Sequence, residues 1–309
     1  MYINDLSTYL KKNYGHKVYK LSLDGGMTCP NRDGVLGNRG CVFCSAGGSG
    51  DFAADRGKCI ADQIAEAKEK VRRKITDGGY IAYFQAYTNT YAPVSYLRKI
   101  FQEAIAQPDI EILSIATRPD CLDDEKIALL AELNQMKPVW VELGLQTSNE
   151  GTAGFIRRGY ENKVFENAVK QLISNGIDVI VHIIIGLPGE SEKEVVETIE
   201  YLNGFKIQGV KLQLLHVLKG TDLEQYYYEY GFHILSMEEY ADLLFLALEH
   251  LRKEIVVHRL TGDGPKQLLI EPQWSGNKRV VMNYIHNEIR RRNIVQGAKT
   301  MVTGGLRCQ

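Results

Sequence analysis

The chain has 309 residues, 44% of them hydrophobic, and a formal net charge of −1. That is enough for one large α/β domain with an ordinary core, or for two small ones. A balance so close to neutral gives no blanket attraction to nucleic acid or membrane, so any basic surface must be local.

In chain order, the opening stretch MYINDLSTYLKKNYG is polar and lacks the apolar core of a signal peptide. No later apolar run approaches the roughly 20 residues of a membrane span. Six cysteines with one close pair do not make a secreted disulfide framework. Together these features predict a cytoplasmic protein with no membrane partner.

Short apolar, β-branched runs predict strands over 18–23, 80–85, 110–116, 139–145, 179–185 and 210–215. Amphipathic stretches predict helices over 60–74, 94–106, 123–135, 162–175 and 192–203 between them, and over 237–253 after the sixth strand. Ser191 with Glu194 and Ser236 with Glu239 have capping-box spacing, and Gly176 stands where a helix end wants a left-handed residue. Runs such as VIVHIIIG are apolar on both faces, which suits strands covered by helices outside and packed inside a barrel. Six βα units in succession imply a parallel sheet with right-handed crossovers, too few for a closed eight-stranded barrel. The predicted fold is therefore α/β, a partial (β/α)6 barrel over 1–255 with a C-terminal extension over 256–309.

Directly after the first predicted strand comes CPNRDGVLGNRGCVFC, with Cys29, Cys41 and Cys44. Three thiolates can hold a four-iron cluster while one iron stays open to a small molecule. The alternative is a zinc site completed by His16, although a closed structural zinc site wants four ligands and only one close pair is present. Active sites of parallel barrels lie at the C-terminal ends of the strands, which is where this loop falls. Pro30, Gly34, Gly37 and Gly40 let it fold tightly, and Phe43 could shield whatever the thiols hold.

Other strand ends carry further candidates. Gln85 ends the second strand; Glu142 lies in the fourth, with Gln146 at its end. A buried carboxylate such as Glu142 needs a partner, either a ligand or a neighbouring Lys or Arg. Arg158, in RRGY, has a guanidinium fork suited to a carboxylate, or is a solvated arginine at a helix start. Gly186 and Pro188, in GLPGE after the fifth strand, either let a ligand approach the backbone closely or make an ordinary strand-to-helix turn. His182 reads as a satisfied core histidine, while His216, Lys219 and Arg259 with Gly262, Asp263 and Gly264 could line a pocket. Cys59 and Cys121 read as ordinary thiols. From Lys278 onward the chain carries a formal +6, including Lys278, Arg279, Arg290, Arg291 and Arg292. That run is a solvated helix end or a phosphate-binding face, with Trp274 and Tyr284 near enough to stack a base.

The Cys-x11-Cys-x2-Cys spacing after a first barrel strand resembles the radical S-adenosylmethionine (SAM) superfamily, whose usual first gap is shorter. The long gap is similar to the branch containing the elongator catalytic subunit, and most closely to the YhcC/YtqA-type bacterial proteins. KLSLDGGMTCPNRDG, YFQAYTNTYAP, ATRPDCL, VELGLQT, RRGY, HIIIGLPGE and LTGDGP carry that likeness along almost the whole chain.

The resemblance implies a [4Fe-4S] cluster on Cys29, Cys41 and Cys44, with SAM on the open iron and near Gln85, Glu142, Arg158, Gly186 and Pro188. It implies reductive cleavage of SAM to a 5′-deoxyadenosyl radical, and an electron donor such as flavodoxin or ferredoxin. It also implies tRNA as partner, with the wobble-uridine C5 side chain as target and conversion of carboxymethylaminomethyl to aminomethyl as the reaction. Neither an acetyltransferase domain nor an extra N-terminal cysteine domain is recognisable, which speaks against acetyl-CoA-dependent carboxymethylation and against sulfur insertion. A radical SAM enzyme of a small metabolite and a non-enzymatic metal-stabilised binding module are the alternatives.

Overall fold

The computed structural model describes residues 2–48, 50–72 and 78–300. Seven strands form one curled, wholly parallel sheet: β1 (Lys17–Leu23), β2 (Gly78–Phe84), β3 (Ile110–Thr117), β4 (Val139–Gln146), β5 (Asp178–Ile185), β6 (Gly209–Leu214) and, after a two-residue β7 (Val217–Leu218), β8 (Val256–Arg259). Each strand pairs with the next in sequence until β6 passes over β7 to pair with β8. β7 instead forms a small antiparallel ribbon with β9 (Leu269–Glu271) beside the main sheet. The six expected strands are present. β8 is a seventh, and it begins where the C-terminal extension was expected to begin; four residues of VVHR carry too weak a period to be read as a strand alone.

Helices cover the outer face: α2 (Ile60–Val71), α3 (Val94–Ile105), α4 (Asp124–Asn134), α6 (Asn162–Ser174), α7 (Glu192–Asn203) and α9 (Met237–His250), with a short α5 (Glu150–Phe155), α8 (Asp222–Tyr230) and a C-terminal α10 (Lys278–Arg291). Both predicted capping boxes close, at Ser191 and Ser236, and Gly176 takes the left-handed conformation after α6. The last predicted residues of the 60–74 helix lie outside the described residues, as does Cys308.

The alternation along each strand sorts its side chains. One set, including Leu23, Phe84, Leu113, Val141, Val181 and Leu212, packs outward against the helices. The other points into the half-barrel. At the N-terminal end of the sheet the inward residues Ile81, Ile112, Trp140 and Ile180 are apolar, and Leu10 of α1 (Leu6–Tyr14) plugs them. Higher up, the inward residues turn polar, and the C-terminal strand ends are left open.

Candidate active site

Those strand ends surround a cavity of about 380 Å³. Cys29, Cys41 and Cys44 line it, as the position of the cysteine run after β1 predicts. The loop that carries them holds its own shape. The backbone N–H groups of Arg32, Leu36 and Gly40 donate to the carbonyls of Cys29, Pro30 and Asn31 at 2.8, 2.8 and 2.7 Å. Buried Asn31 pins the loop to the far side of the cavity, donating through Nδ2 to the Arg157 carbonyl at 2.8 Å and approaching Cys41 Sγ at 3.4 Å. Arg32 fixes the other end by donating to the carbonyls of Cys44 and Ser45 at 3.0 and 2.6 Å. Neither Asn31 nor Arg32 stands out in the sequence, since a polar residue in a loop carries no period.

A hydrogen bond from the Cys44 thiol holds Cys41 down at about 6 against its burial, with Arg118, Asn31 and Arg157 helping. The same bond, with burial, keeps Cys44 protonated well above the ordinary thiol range. Cys121 is buried away from the cavity lining, and burial pushes its thiol up to about 12. Cys59 is exposed before α2. His16 stands at the opposite end of β1 from the cysteines, with Nε2 3.6 Å from Glu111. A seven-residue strand spans about 23 Å, so His16 cannot complete a zinc site with them. Among the described residues, no three His, Cys, Asp or Glu side chains are grouped as ligands of a single ion.

Glu142 lines the cavity, but its carboxylate is taken. It accepts from Lys20 Nζ at 3.0 Å, Ser114 Oγ at 2.7 Å, His182 Nε2 at 2.6 Å, and from Lys211 Nζ. Burial alone would raise this carboxyl; Lys20, Lys211 and His182 instead hold it well below the usual carboxylate range. Burial lowers His182 to about 4, and Lys211 adds to the effect against the pull of Glu142. Of the two partners considered for Glu142, the structure shows the neighbouring lysines. Lys20 and Lys211 were missed in the sequence, although a lysine at an alternate position of an otherwise apolar strand, as in GVKLQL, is a readable signal.

Arg158 is also committed, and is buried rather than solvated. Its guanidinium donates to the main-chain carbonyls of Tyr160, Leu145 and Thr147 at 2.9, 3.1 and 2.8 Å, and to Glu150 at 3.0 Å. It thereby ties the end of β4 to the turn after α5, a tertiary role that RRGY does not announce. Arg118 pairs through Nε and one terminal nitrogen with Asp120 at 2.9 and 2.6 Å, and its third nitrogen donates to the Arg158 carbonyl at 2.8 Å. Tyr160 packs between the two guanidiniums, 5.0 and 4.8 Å from its ring.

Gln85 lines the cavity. So does Gln146, whose backbone is left-handed (φ 68°) and whose buried Oε1 has no hydrogen-bond partner. Gly144 lies beneath it, and a Cβ there would stand 2.7 Å from Gln146 Nε2. Gly186 and Pro188 do not line this cavity. Gly186, with φ 92°, faces Leu235 on a small neighbouring recess, which favours a structural turn for GLPGE.

Helix α10 divides the basic C-terminal segment. At its start, Lys278 and Arg279 line a groove that shares Asp51, Phe52, Asp263, Gly264 and Pro265 with the cavity. Thirteen residues later, about 20 Å along the helix, Arg291 pairs with Glu288, and Arg292 pairs with Glu288 and Asp242. Arg290 shares that far end. Thus Lys278 and Arg279 stand at the cavity mouth, and Arg290–Arg292 do not.

Residues 35–202 match the Radical SAM superfamily, and residues 207–291 match the Radical_SAM C-terminal domain. The chain belongs to the radical SAM superfamily. It is 46% identical over 292 residues to the protein YtqA of Bacillus subtilis (strain 168), covering 94% of this chain and 91% of that one. It is 26% identical over 162 residues to a tRNA uridine(34) acetyltransferase of Methanocaldococcus jannaschii, covering 52% of this chain and 29% of that enzyme. The solved structure of the archaeal Methanocaldococcus infernus Elp3 superposes with a TM-score of 0.68 at 17% identity, over 90% of this chain and 64% of that one.

This radical SAM enzyme therefore belongs to a superfamily that uses a [4Fe-4S] cluster and SAM. The residues present fit both groups. Three thiols on one cavity can each take an iron and leave the fourth open, and no fourth thiol lines the cavity among the described residues. Gln146 adds a buried acceptor that asks for a donor from a ligand. No described helix is long and apolar enough to cross a membrane.

Proposed function

We propose that this radical SAM enzyme modifies the C5 side chain of a wobble uridine in tRNA, with carboxymethylaminomethyl as the group it acts on and aminomethyl as the product. The two carboxymethyl carbons leave as glyoxylate, with water supplying its aldehyde oxygen and SAM, converted to methionine and 5′-deoxyadenosine, as the two-electron oxidant. In this reading Cys29, Cys41 and Cys44 hold the cluster, and SAM bound there supplies the 5′-deoxyadenosyl radical. Asn31 and Arg32 fix the spacing of the thiols, Phe43 screens them, and Gln85 and Gln146 orient SAM. Glu142 and Arg158 are not assigned to SAM, because their polar atoms are engaged by the protein.

The three thiols opening onto the barrel cavity carry the enzymatic part. The tRNA part is supported by the likeness to a tRNA uridine(34) acetyltransferase and by Lys278 and Arg279 beside the mouth, where a phosphate backbone would pass. An electron donor, a flavodoxin or ferredoxin, supplies the reducing electron.

Anaerobic reconstitution of the wild type should give about four irons per chain and 5′-deoxyadenosine under a low-potential reductant. Ala at any of the three cysteines should remove both. The decisive measurement is the nucleoside profile of tRNA from cells with and without the gene. Carboxymethylaminomethyluridine should accumulate and aminomethyluridine disappear in the deletion; an unchanged profile would refute the reading.

A further inference from the structure

Five cationic side chains line the cavity, and four of them are satisfied within the protein. Arg118 pairs with Asp120, Arg158 with Glu150, and Lys211 with Glu142, while Arg32 donates to two carbonyls of the cysteine loop. The fifth is Arg259, the last residue of β8. Among the described residues it has no ion pair and no hydrogen bond, and it is not one of those with an unstated partner.

The cavity's three carboxylates are already in use. Glu142 is surrounded by Lys20, Lys211 and His182, Asp51 takes the Ser45 hydroxyl at 2.9 Å, and Asp263 is bridged by Lys278. The positive charge of Arg259 therefore has no counter-ion among the described residues of the cavity wall. An arginine left without an anion in a partly desolvated cavity is costly, and its planar fork is shaped for a carboxylate.

We infer that Arg259 is a substrate-binding residue that receives a carboxylate carried by the substrate on the β8 side of the cavity. Arg259 lines the cavity beside Lys211, His182 and His216, and its charge is felt by these three and by Tyr83, inward on β2. The cations beside the thiols are others: Arg118 and Arg157 near Cys41, and Arg32 near Cys44. Arg259 is not among those cations, so it is assigned an anion other than the carboxylate of SAM, which the proposed reading places on the thiol side. The inference rests on the proposed reading, in which the carboxymethylaminomethyl group carries such a carboxylate, and makes Arg259 the residue that distinguishes it from uncharged side chains.

The test uses reconstituted holoenzyme with SAM and three probes: 5-carboxymethylaminomethyluridine as the free nucleoside, its methyl ester, and an anticodon stem-loop containing the acid. The wild type should bind the acid at least about tenfold tighter than the ester. Arg259→Gln should bring that ratio near one by weakening the acid alone, and Arg259→Lys should restore part of it. Equal binding of acid and ester by the wild type overturns the inference, and this comparison needs no variant to fold. So does an Arg259→Gln enzyme that weakens acid and ester alike, or one whose main loss is SAM affinity, which would put the guanidinium on the cofactor. A stem-loop that binds no tighter than the free nucleoside refutes the tRNA reading while the acid-to-ester ratio still stands. No binding of any probe overturns both.

Discussion

Replacing Glu142 by Gln keeps the shape of the side chain and removes its charge from the middle of the barrel. Lys20 at 3.0 Å, His182 at 2.6 Å and Lys211 then lose the one carboxylate they share. Breaking a buried ion pair from one side costs about 3–5 kcal/mol, mostly because the remaining charge is stranded. Here the lower end is expected: Lys20 is partly exposed and can move its ammonium toward water, and burial already drives Lys211 toward its neutral form.

At roughly 2–4 °C per kcal/mol, a loss of about 3 kcal/mol becomes a fall of about 6–12 °C in the midpoint of unfolding. Circular dichroism of anaerobically purified protein would measure it. Changing both buried partners, Glu142→Leu with Lys211→Met, should recover most of the loss, because Lys211 is then no longer stranded and Lys20, partly exposed, can turn its ammonium to water. A Glu142→Gln midpoint within about 2 °C of the wild type, or a double variant as unstable as the single one, would refute this account.

The remaining predictions concern pH, the strand-end arginine, the basic segment and the seventh strand. Burial lowers His216 to about 4 from an ordinary 6.5, so the unfolded chain takes up a proton before the folded one does. Its contribution is complete above pH 6.5 and is lost toward about pH 4, an upper value of about 3 kcal/mol, and His216→Gln should reduce the slope of the urea-midpoint profile across that window, with His182 supplying the slope that remains. Arg158→Lys, which cannot reproduce four donations, should cost about 2–4 kcal/mol of stability while SAM affinity in the folded holoenzyme changes less than twofold; a selective tenfold loss of SAM affinity would return Arg158 to the cofactor. Lys278→Glu with Arg279→Glu should reduce the salt slope of RNA binding by at least about 1.4, the value for two single-strand phosphate contacts, whereas Arg291→Gln with Arg292→Gln should leave it unchanged. Gly209→Ala would bring a Cβ within 2.5 Å of the His258 ring and 2.9 Å of the Val256 carbonyl, and should destabilise by about 1–3 kcal/mol in the same melts.

Much of the fold was legible because its signals are local. Each of the six predicted strands is found, with ends displaced by no more than about two residues. Both capping boxes and the left-handed Gly176 follow from side chains within one helical turn. β8 and the β7–β9 ribbon were not legible, because four-, two- and three-residue strands exist only through the partners that pair with them. The site divides the same way. Cys29, Cys41 and Cys44 declare themselves by type and spacing, and the parallel topology puts them at the cavity. Glu142 and Arg158 stand at the positions expected, yet their roles depend on Lys20, Lys211, His182 and three main-chain carbonyls that arrive from elsewhere in the chain.

By itself, then, the sequence determined the class of chemistry and the scaffold: a three-thiol loop after the first strand of a βα series, with SAM chemistry following from membership of the superfamily. Only the tertiary structure decided which charges are spent. It neutralised Glu142 and Arg158 internally, set Arg291 and Arg292 far from the mouth while placing Lys278, paired with Asp263, and Arg279 beside it, and left Arg259 facing the cavity without an anion. The physical reason is range: a period or a cysteine spacing is written over a few consecutive residues, whereas the fate of a charge depends on which opposite charge the fold brings within about 4 Å.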